Sequence, residues 1–460
     1  MQTHTSNVNT LHASTASAPK PALSMVDAMV LIVGIVVGAG IFKSPSVVAS
    51  NTTDGLSFLS IWILGGFISL AGALCYSELT TAYPNVGGDY HFLKKAFGPA
   101  ISFLFAWARV TVIQTGSIAL LAYIIGDYLA EMTPIGPYGP GIYAILMVVM
   151  LTIINLLGVQ FGAGLQKILA TLQFAGIAFL IIKGMITTPS AIPVAGPELN
   201  NTNDPSFGLA LVFVLLTFGG WNEAAYISAE LKAGSKKMSF LLITSILIIT
   251  CIYLLLNWSF LKVLGLEGVA SSKALGIDFM RVTTAGKTGI IFIGVLVALA
   301  ALTSLNTTIF TGARTSYALG NDFRVFAFLG KWHGRKSTPV NALLAQCAIA
   351  TLLIFFGFFA RDGFEAMVDF TAPVFWFFFL CSGISVIVLR IKDPSRERPF
   401  KVPLYPLTPL IFMGCSAYLL YSSLKYTGMG ALIGVGILAI GLIILLTLKR
   451  RDSVAIKDKI

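Results

Sequence analysis

Two short glycine-rich segments are the parts of this sequence best suited to binding chemistry. The first reads Gly-Ile-Val-Val-Gly-Ala-Gly-Ile-Phe over residues 34–42 and is followed by Pro45. The second reads Thr-Phe-Gly-Gly-Trp-Asn-Glu over residues 217–223. Clustered glycines favour an interruption of a helix, and an interruption leaves backbone N–H and C=O groups without partners inside the helix. We expect both segments to present backbone hydrogen-bonding groups to a ligand.

The backbone groups of the first segment suggest which ligand would fit. Ala39, Gly40 and Ile41 would begin a second half-helix, where free N–H groups and the helix dipole favour an anion. The carbonyl groups that end the preceding half-helices suit a cation such as an ammonium group. The two together fit the zwitterionic head of an α-amino acid. No charged side chain is required, and none occurs between Asp27 and Lys43.

The amino-acid composition indicates which kind of structure surrounds these two segments. The chain has 460 residues, of which 56% are hydrophobic and 11% are charged, whereas a soluble protein carries about 25% charged residues. A soluble globule with so few charges would expose large apolar patches. The composition therefore excludes a soluble enzyme, a soluble nucleic-acid binder and a disordered protein, and it predicts an integral membrane protein.

The fold class predicted is all-α, with about twelve transmembrane helices. Each of twelve apolar runs is long enough, or nearly so, to cross the hydrocarbon core as a helix. We number them spans 1 to 12: residues 25–49, 57–80, 101–130, 141–157, 165–187, 207–231, 239–263, 287–312, 340–359, 364–390, 405–426 and 429–448. An even number places both tails on one side. Lys and Arg concentrate in the loops of that side, which predicts that both termini are cytoplasmic.

The glycine-rich segments fall in span 1 and span 6, five spans apart. Glycine-broken helices at corresponding places in two halves of a chain indicate a transporter site built from inverted repeats. The spacing Gly34-x-x-x-Gly38 is also the small-residue pattern of closely packed membrane helices. The second cluster, which is followed by Trp and Asn, favours a site over simple packing.

The domain organisation that follows is one transmembrane domain, residues 25–449, between two tails. Residues 1–24 read as a disordered cytoplasmic tail and residues 450–460 as a cytoplasmic C-terminal tail. Within the domain, residues 25–187 form the first repeat, residues 207–390 the second, and residues 405–448 two appended helices.

Partners other than lipid and a small molecule are not indicated. The net charge of +11 is explained by the cytoplasmic loops, so no nucleic acid is called for. The five cysteines lie singly in apolar runs, without metal-ligand spacing, and the four histidines fall in the tail or in loops. We therefore expect no metal, no cofactor and no catalytic residues. A partner subunit or a homo-oligomer is left open.

Several motifs in order resemble one transporter family. Residues 38–45, Gly-Ala-Gly-Ile-Phe-x-x-Pro, are similar to the first span of the amino acid–polyamine–organocation superfamily. Residues 76–79, Tyr-Ser-Glu-Leu, followed by Pro84 and by Gly-Gly-Asp-Tyr at 87–90, are similar to its second span and first cytoplasmic loop. Residues 218–222, Phe-Gly-Gly-Trp-Asn, resemble the L-amino-acid transporter branch most closely.

The resemblance implies a fold of five plus five spans in inverted repeats, with broken spans 1 and 6, and alternating access around a central amino acid site. The carboxylate would meet the backbone of Ala39 and Gly40, next to Ile41. The ammonium would meet the carbonyl groups of four residues that end half-helices: Val36, Leu216, Thr217 and Gly219. Ser117 and Gln114 in span 3 match positions that face the pocket in relatives.

The chain departs from the family pattern at positions that bear on coupling and gating. Gln173 falls where many relatives carry a lysine in span 5, and Gln cannot carry a proton or a fixed charge. Ser304 in span 8 is a second coupling candidate. Leu216 replaces a bulky aromatic residue, so Phe218 or Trp221 would form the gate or the pocket wall.

Glu223, just after the break in span 6, is the third coupling candidate. It would titrate for proton coupling, attract a cationic part of the substrate, or stabilise the start of the next half-helix through its dipole. Arg109 in span 3 would pair with Glu78, line a vestibule, or extend towards the membrane interface.

The function predicted is a secondary active amino acid permease or exchanger, not an enzyme, in the plasma (cell inner) membrane. Its driving force would be a substrate gradient or protons. The alternative within the class is a proton-coupled polyamine or cationic amino acid transporter, which would favour more carboxylates in the pocket. A channel is disfavoured because no ring of polar groups repeats.

Overall fold

A computed structural model describes residues 24–85, 87–157, 162–187, 206–228, 231, 235–284, 287–331, 338–359, 362–426 and 429–457. The regular secondary structure of these residues is helical. Eleven helices among them are long and apolar enough to cross a membrane, and the bent pair in span 1 makes a twelfth. The predicted all-α membrane fold is confirmed. The predicted N-terminal tail lies outside the described residues except for Ser24.

The α-helices fall in an order that matches the twelve apolar runs. In chain order they are α1 Met25–Val36, α2 Ser44–Ser50, α3 Gly55–Ala82, α4 Asp89–Phe97, α5 Pro99–Ala108, α6 Gln114–Met132, α7 Gly139–Leu157, α8 Gly162–Ile186, α9 Phe207–Thr217, α10 Ala224–Ile227, α11 Met238–Ser271, α12 Leu275–Thr283, α13 Lys287–Asp322, α14 Val340–Gly357, α15 Gly363–Lys392, α16 Leu407–Tyr426 and α17 Met429–Lys457. We call the side where α1 begins and α3 ends the inner side, and the opposite side the outer side. The last helix continues beyond the apolar run that ends at residue 448.

Span 1 is broken where the glycines predict it. Its first half, α1, ends at Val36, a short 3₁₀ helix covers Ala39–Phe42, and α2 follows with Pro45 in its first turn. Gly38 between them has extended backbone angles, φ −94° and ψ −163°. The two halves are bent by 54°. The amides that begin the second half have no acceptor within their own helix.

Span 6 is broken in the same way. Helix α9 ends at Thr217, a 3₁₀ turn covers Trp221–Glu223, and α10 follows. Gly220 takes φ +105°, in the left-handed region that a side chain would make unfavourable. Span 3 contains an irregularity that the sequence did not indicate, a π-helical turn over Arg109–Ile113 between α5 and α6.

The broken spans lie inside the bundle and the appended helices at its edge. Of the apolar window in span 6, 67% is buried in the protein, against 22% of that in span 12. Helix α11 packs along α3 and also against α1 and α2, and α13 packs against α6 and α8. The breaks are therefore enclosed by spans 3, 5, 7 and 8, which are the elements that supply side chains around them.

Candidate substrate-binding site

The two breaks lie directly against each other. A Cβ atom added to Gly40 would lie 3.7 Å from Cγ2 of Thr217, and one added to Gly220 would lie 2.9 Å from Cγ2 of Ile35. Each break thus faces the end of the other span's first half-helix. Gly40, near the start of the second half of span 1, is in this way brought beside Thr217, the last residue of the first half of span 6.

The backbone at the breaks is more accessible than its surroundings. Ala39, Ile41 and Thr217 are buried, whereas Gly40, Leu216 and Gly219 are partly exposed. Because Gly40 has no side chain, a ligand that reaches it meets main-chain atoms. The predicted substrate groups at Gly40, Leu216 and Gly219 are thus reachable, and their binding role stays a prediction.

The carbonyl groups at the breaks already accept hydrogen bonds from the protein. The carbonyl oxygen of Val36 accepts from the N–H of Gly38 at 2.7 Å and from the hydroxyl of Tyr253 at 2.7 Å. The same hydroxyl lies 2.9 Å from the carbonyl oxygen of Thr217, and Leu216 accepts from the N–H of Gly219 at 3.0 Å. Sequence reasoning missed Tyr253. The signal available was a tyrosine in the middle of an aliphatic span, where a buried hydroxyl needs a partner.

Gln173 reaches the break in span 1 from span 5. Its side-chain amide donates a hydrogen bond to the carbonyl oxygen of Val37. Ser304 approaches from span 8, where its Oγ would lie 2.6 Å from a Cβ added to Gly38. The Oε1 atom of Gln173 and the Oγ atom of Ser304 are buried and have no hydrogen-bond partner among the described residues. Three spans thus meet at this carbonyl, and the donor there is neutral.

The span 3 candidates are placed differently from each other. The amide of Gln114 donates to the carbonyl oxygen of Thr308 at 2.7 Å and to Oγ1 of Thr311 at 3.2 Å, so it holds span 3 against span 8. Ser117 lies one turn further along α6 and is partly exposed. A substrate contact of either residue stays a prediction.

Phe218 and Trp221 occupy two different aromatic clusters. Phe218 is fully buried, with its ring centroid 4.9 Å from that of Tyr253 and 6.4 Å from that of Trp62. Trp221 packs edge-on against Tyr76 at 5.1 Å and lines a narrow, largely apolar cavity between spans 2, 6, 10 and 11. Gating by either residue stays a prediction.

Arg109 pairs with Glu223, so the considered pairing with Glu78 is wrong. Nη2 of Arg109 lies 2.8 Å from both carboxylate oxygens of Glu223. The side chain of Arg109 is 4% exposed and that of Glu223 is 17% exposed, which also excludes extension to the interface. The carboxylate of Glu78 is taken by Arg390 from the end of α15, with Nε at 2.7 Å, and by the N–H of Val402 at 2.8 Å.

A buried cluster extends from this pair to the inner side. Nη1 of Arg109 donates to the hydroxyl of Tyr226 at 2.8 Å, and that hydroxyl donates to Asp89 at 3.3 Å. Asp89, the first residue of α4, also accepts hydrogen bonds from Tyr76 and from Ser382. Burial raises the pKa of Asp89, against the opposing effects of the hydrogen bond from Tyr76 and the charge of Arg109. The cluster joins spans 2, 3, 6 and 10 below the breaks.

A second set of charges lies on the outer side. Nζ of Lys43, at the end of the short helix in span 1, lies 3.1 Å from Oδ2 of Asp127 and 3.1 Å from Oδ2 of Asp362. These carboxylates belong to the outer end of span 3 and to the start of span 10. One ammonium therefore holds three spans together above the breaks.

No metal site accompanies these groups. The part of the chain that the structure describes contains no cluster of three or more His, Cys, Asp or Glu side chains arranged to hold a metal ion.

The comparisons with known proteins give the family. A family model described as amino acid permease matches residues 23–448. The chain belongs to the amino acid permease family. The predicted resemblance to the amino acid–polyamine–organocation superfamily is thereby confirmed.

The relatives of this permease are membrane transporters. It is 30% identical to the human large neutral amino acids transporter small subunit 2 over 436 residues, which cover 92% of this chain and 79% of the relative. It is 28% identical to the human b(0,+)-type amino acid transporter 1 over 409 residues, 86% of this chain and 81% of the relative. The prediction that the chain is not an enzyme is confirmed.

Proposed function

We propose that this permease is a secondary transporter that exchanges L-amino acids across the plasma (cell inner) membrane, with both termini cytoplasmic. The observation that carries the proposal is the apposition of the two breaks. Gly40 and Thr217 lie on facing segments, and a Cβ atom added to Gly40 would lie 3.7 Å from Cγ2 of Thr217. One small zwitterion would bond to the backbone of both. Backbone dipoles fix such a head group without a charged side chain.

Alternating access is supported by the charges on either side of the breaks. The Lys43 pairs tie span 1 to spans 3 and 10 on the outer side. The Arg109–Glu223 pair ties span 3 to span 6 on the inner side. We propose that the two sets together close the site in both directions. Releasing one set at a time would open the site to one side.

The state of Glu223 supports a neutral substrate over a polyamine or a cationic amino acid. Its carboxylate is neutralised by Arg109 at 2.8 Å from both oxygens. A carboxylate bound in this way has little net charge to offer a substrate cation. The name of one relative, large neutral amino acids transporter, also supports a neutral substrate.

Exchange driven by a substrate gradient is supported by the donors at the breaks. Gln173 and Tyr253 supply neutral hydrogen bonds to the carbonyl groups of Val37, Val36 and Thr217. Neither side chain changes its charge at neutral pH. We therefore propose no ion at these carbonyl groups.

Uptake into proteoliposomes tests this function. Purified permease is reconstituted, and uptake of a labelled panel of neutral, cationic and acidic L-amino acids is measured with and without internal substrate and with an imposed pH gradient. We expect uptake of neutral amino acids that depends on internal substrate. Uptake that needs only a pH gradient would reject exchange, and preferential uptake of the cationic amino acids would favour the cationic alternative.

A further inference from the structure

The Arg109–Glu223 pair presents both of the charges that a zwitterionic amino acid needs as partners. Nη2 of Arg109 lies 2.8 Å from each carboxylate oxygen of Glu223. Glu223 lies directly after the break in span 6, where its amide donates to the carbonyl oxygen of Gly220 at 3.0 Å. We propose that this pair is a second, transient binding subsite for the zwitterionic head of the substrate, on the inner side of the breaks. The proposal rests on the function proposed above.

The pair takes up a zwitterion by an exchange of partners. The substrate carboxylate replaces that of Glu223 on the guanidinium of Arg109, and the substrate ammonium bonds to the carboxylate that is released. One ion pair becomes two, so no buried charge loses its partner during the exchange. A ligand that carries only one of the two charges would leave Arg109 or Glu223 uncompensated, which is costly inside a membrane.

Arg109 has an unused donor for an incoming carboxylate. Its Nε atom is buried and has no hydrogen-bond partner among the residues that the structure describes. In an arginine side chain, Nε and Nη2 together form a planar fork that fits the two oxygens of a carboxylate. Glu223 bonds only to Nη2. The fork is therefore half used, and a substrate carboxylate would complete it.

Other contacts hold Arg109 in place without Glu223. Nη1 of Arg109 donates to the hydroxyl of Tyr226 at 2.8 Å, and the guanidinium carbon lies 4.5 Å from the centre of the Tyr226 ring. The same hydroxyl donates to Asp89 at 3.3 Å. Glu223 is the more accessible member of the pair, with a side chain 17% exposed against 4% for Arg109. Glu223 can thus turn towards a substrate ammonium while the guanidinium keeps its position.

Membrane vesicles of opposite orientation separate this subsite from the site at the breaks. Vesicles from cells that produce the permease are prepared inside out and right side out and are loaded with substrate, and uptake of labelled L-leucine, L-alanine and L-serine is measured. For the double variant Arg109→Gln, Glu223→Gln we expect the KM in inside-out vesicles to rise about 10-fold, because the charge-assisted hydrogen bonds of the subsite are lost. The KM in right-side-out vesicles should stay within about 2-fold of wild type, since the groups at the breaks are unchanged.

The control is Lys94→Met, Asp322→Asn, which removes an exposed ion pair between α4 and the end of α13. It should keep both KM values. An equal rise in both vesicle preparations, or no rise in either, for Arg109→Gln, Glu223→Gln would overturn the subsite while the transport function stands. An absence of uptake by wild type in both preparations would instead reject the proposed function.

A second variant decides if the double variant does not yield a monodisperse protein. In Arg109→Lys the ammonium still pairs with Glu223, so the buried charge stays compensated, but it has no fork for a second carboxylate. A KM in inside-out vesicles that rises by at least about 3-fold, with little change in right-side-out vesicles, supports the proposal. A wild-type KM in both preparations overturns it.

Discussion

The guanidinium of Arg109 places one nitrogen, Nη2, 2.8 Å from both carboxylate oxygens of Glu223, where the π-helical turn of span 3 meets the break in span 6. A π turn shifts the side chains that follow it around the helix, and such turns are frequent at functional sites. The pair converts two costly intramembrane charges into one neutral unit. It also links the break in span 6 to span 3.

Removing one member of this pair should lower the free energy of unfolding more than removing both. Glu223→Gln leaves Arg109 buried without a counter-charge, and we expect it to lower the free energy of unfolding by about 3 kcal/mol. The double variant Arg109→Gln, Glu223→Gln should recover most of that loss. Thermal melting in detergent, read as a double-mutant cycle, measures the coupling. Additive effects of the two single variants would contradict a direct pair.

Gly40 and Gly38 should respond differently to the same substitution. In Gly40→Ala the added methyl lies 3.7 Å from its nearest neighbour, so the fold accommodates it, whereas the substrate loses its approach to the backbone. We expect normal melting and KM raised by at least about 10-fold. In Gly38→Ala the methyl lies 2.6 Å from Oγ of Ser304, so melting should fall as well.

Gly414→Ala provides the control for these glycine variants, because no atom lies within 4 Å of the added methyl. Alanine in place of glycine within a helix should leave transport unchanged and raise stability slightly. Wild-type KM in Gly40→Ala, with the control behaving as expected, would place the substrate elsewhere.

Lys43→Met should increase access from the outer side to the break in span 1. It removes the cation that bridges Asp127 and Asp362 and leaves two carboxylates that repel each other. We expect Gly40→Cys, in a background without the five native cysteines, to react about 10-fold faster with an impermeant thiol reagent added outside, because the pairs that hold spans 3 and 10 to span 1 are lost. Lys94→Met, which breaks an exposed pair with Asp322, is the control and should leave the rate unchanged. Equal rates in both variants would show that the outer pairs do not restrict access.

Asp89 should give stability a pH dependence of known sign. Burial raises its pKa, so the protonated carboxyl favours the folded state. Its favourable contribution is complete below the unfolded pKa and is lost as the pH rises through the folded pKa. Asp89→Asn stays neutral, so its melting temperature relative to wild type should increase between pH 4 and pH 7.5. A constant difference would show that Asp89 ionises at no cost in the folded state, and a reversed one that folding lowers its pKa; either would contradict the prediction.

The sequence predicts the breaks because their cause is local. Glycine at 220 permits the left-handed backbone that a side chain would disfavour, glycine at 38 leaves no side chain facing Ser304, and the apolar runs around them define the spans. The partners across the breaks are not local. Arg109 contacts Glu223 from a π turn that no glycine or proline in the sequence indicates. Tyr253 contacts the carbonyl groups of Val36 and Thr217 only because spans 1, 6 and 7 pack together. The alternative that pairs Arg109 with Glu78 is wrong because the partner of Glu78, Arg390, lies more than three hundred residues away in the sequence.

Uptake of labelled amino acids into proteoliposomes by wild type and by Gly40→Ala decides whether the substrate binds at the breaks. We expect wild type to take up at least one neutral L-amino acid in exchange for internal substrate, and Gly40→Ala, though equally well folded, to take it up with a KM raised at least about 10-fold. An absence of uptake of every amino acid by wild type, or unchanged uptake by Gly40→Ala, would contradict it.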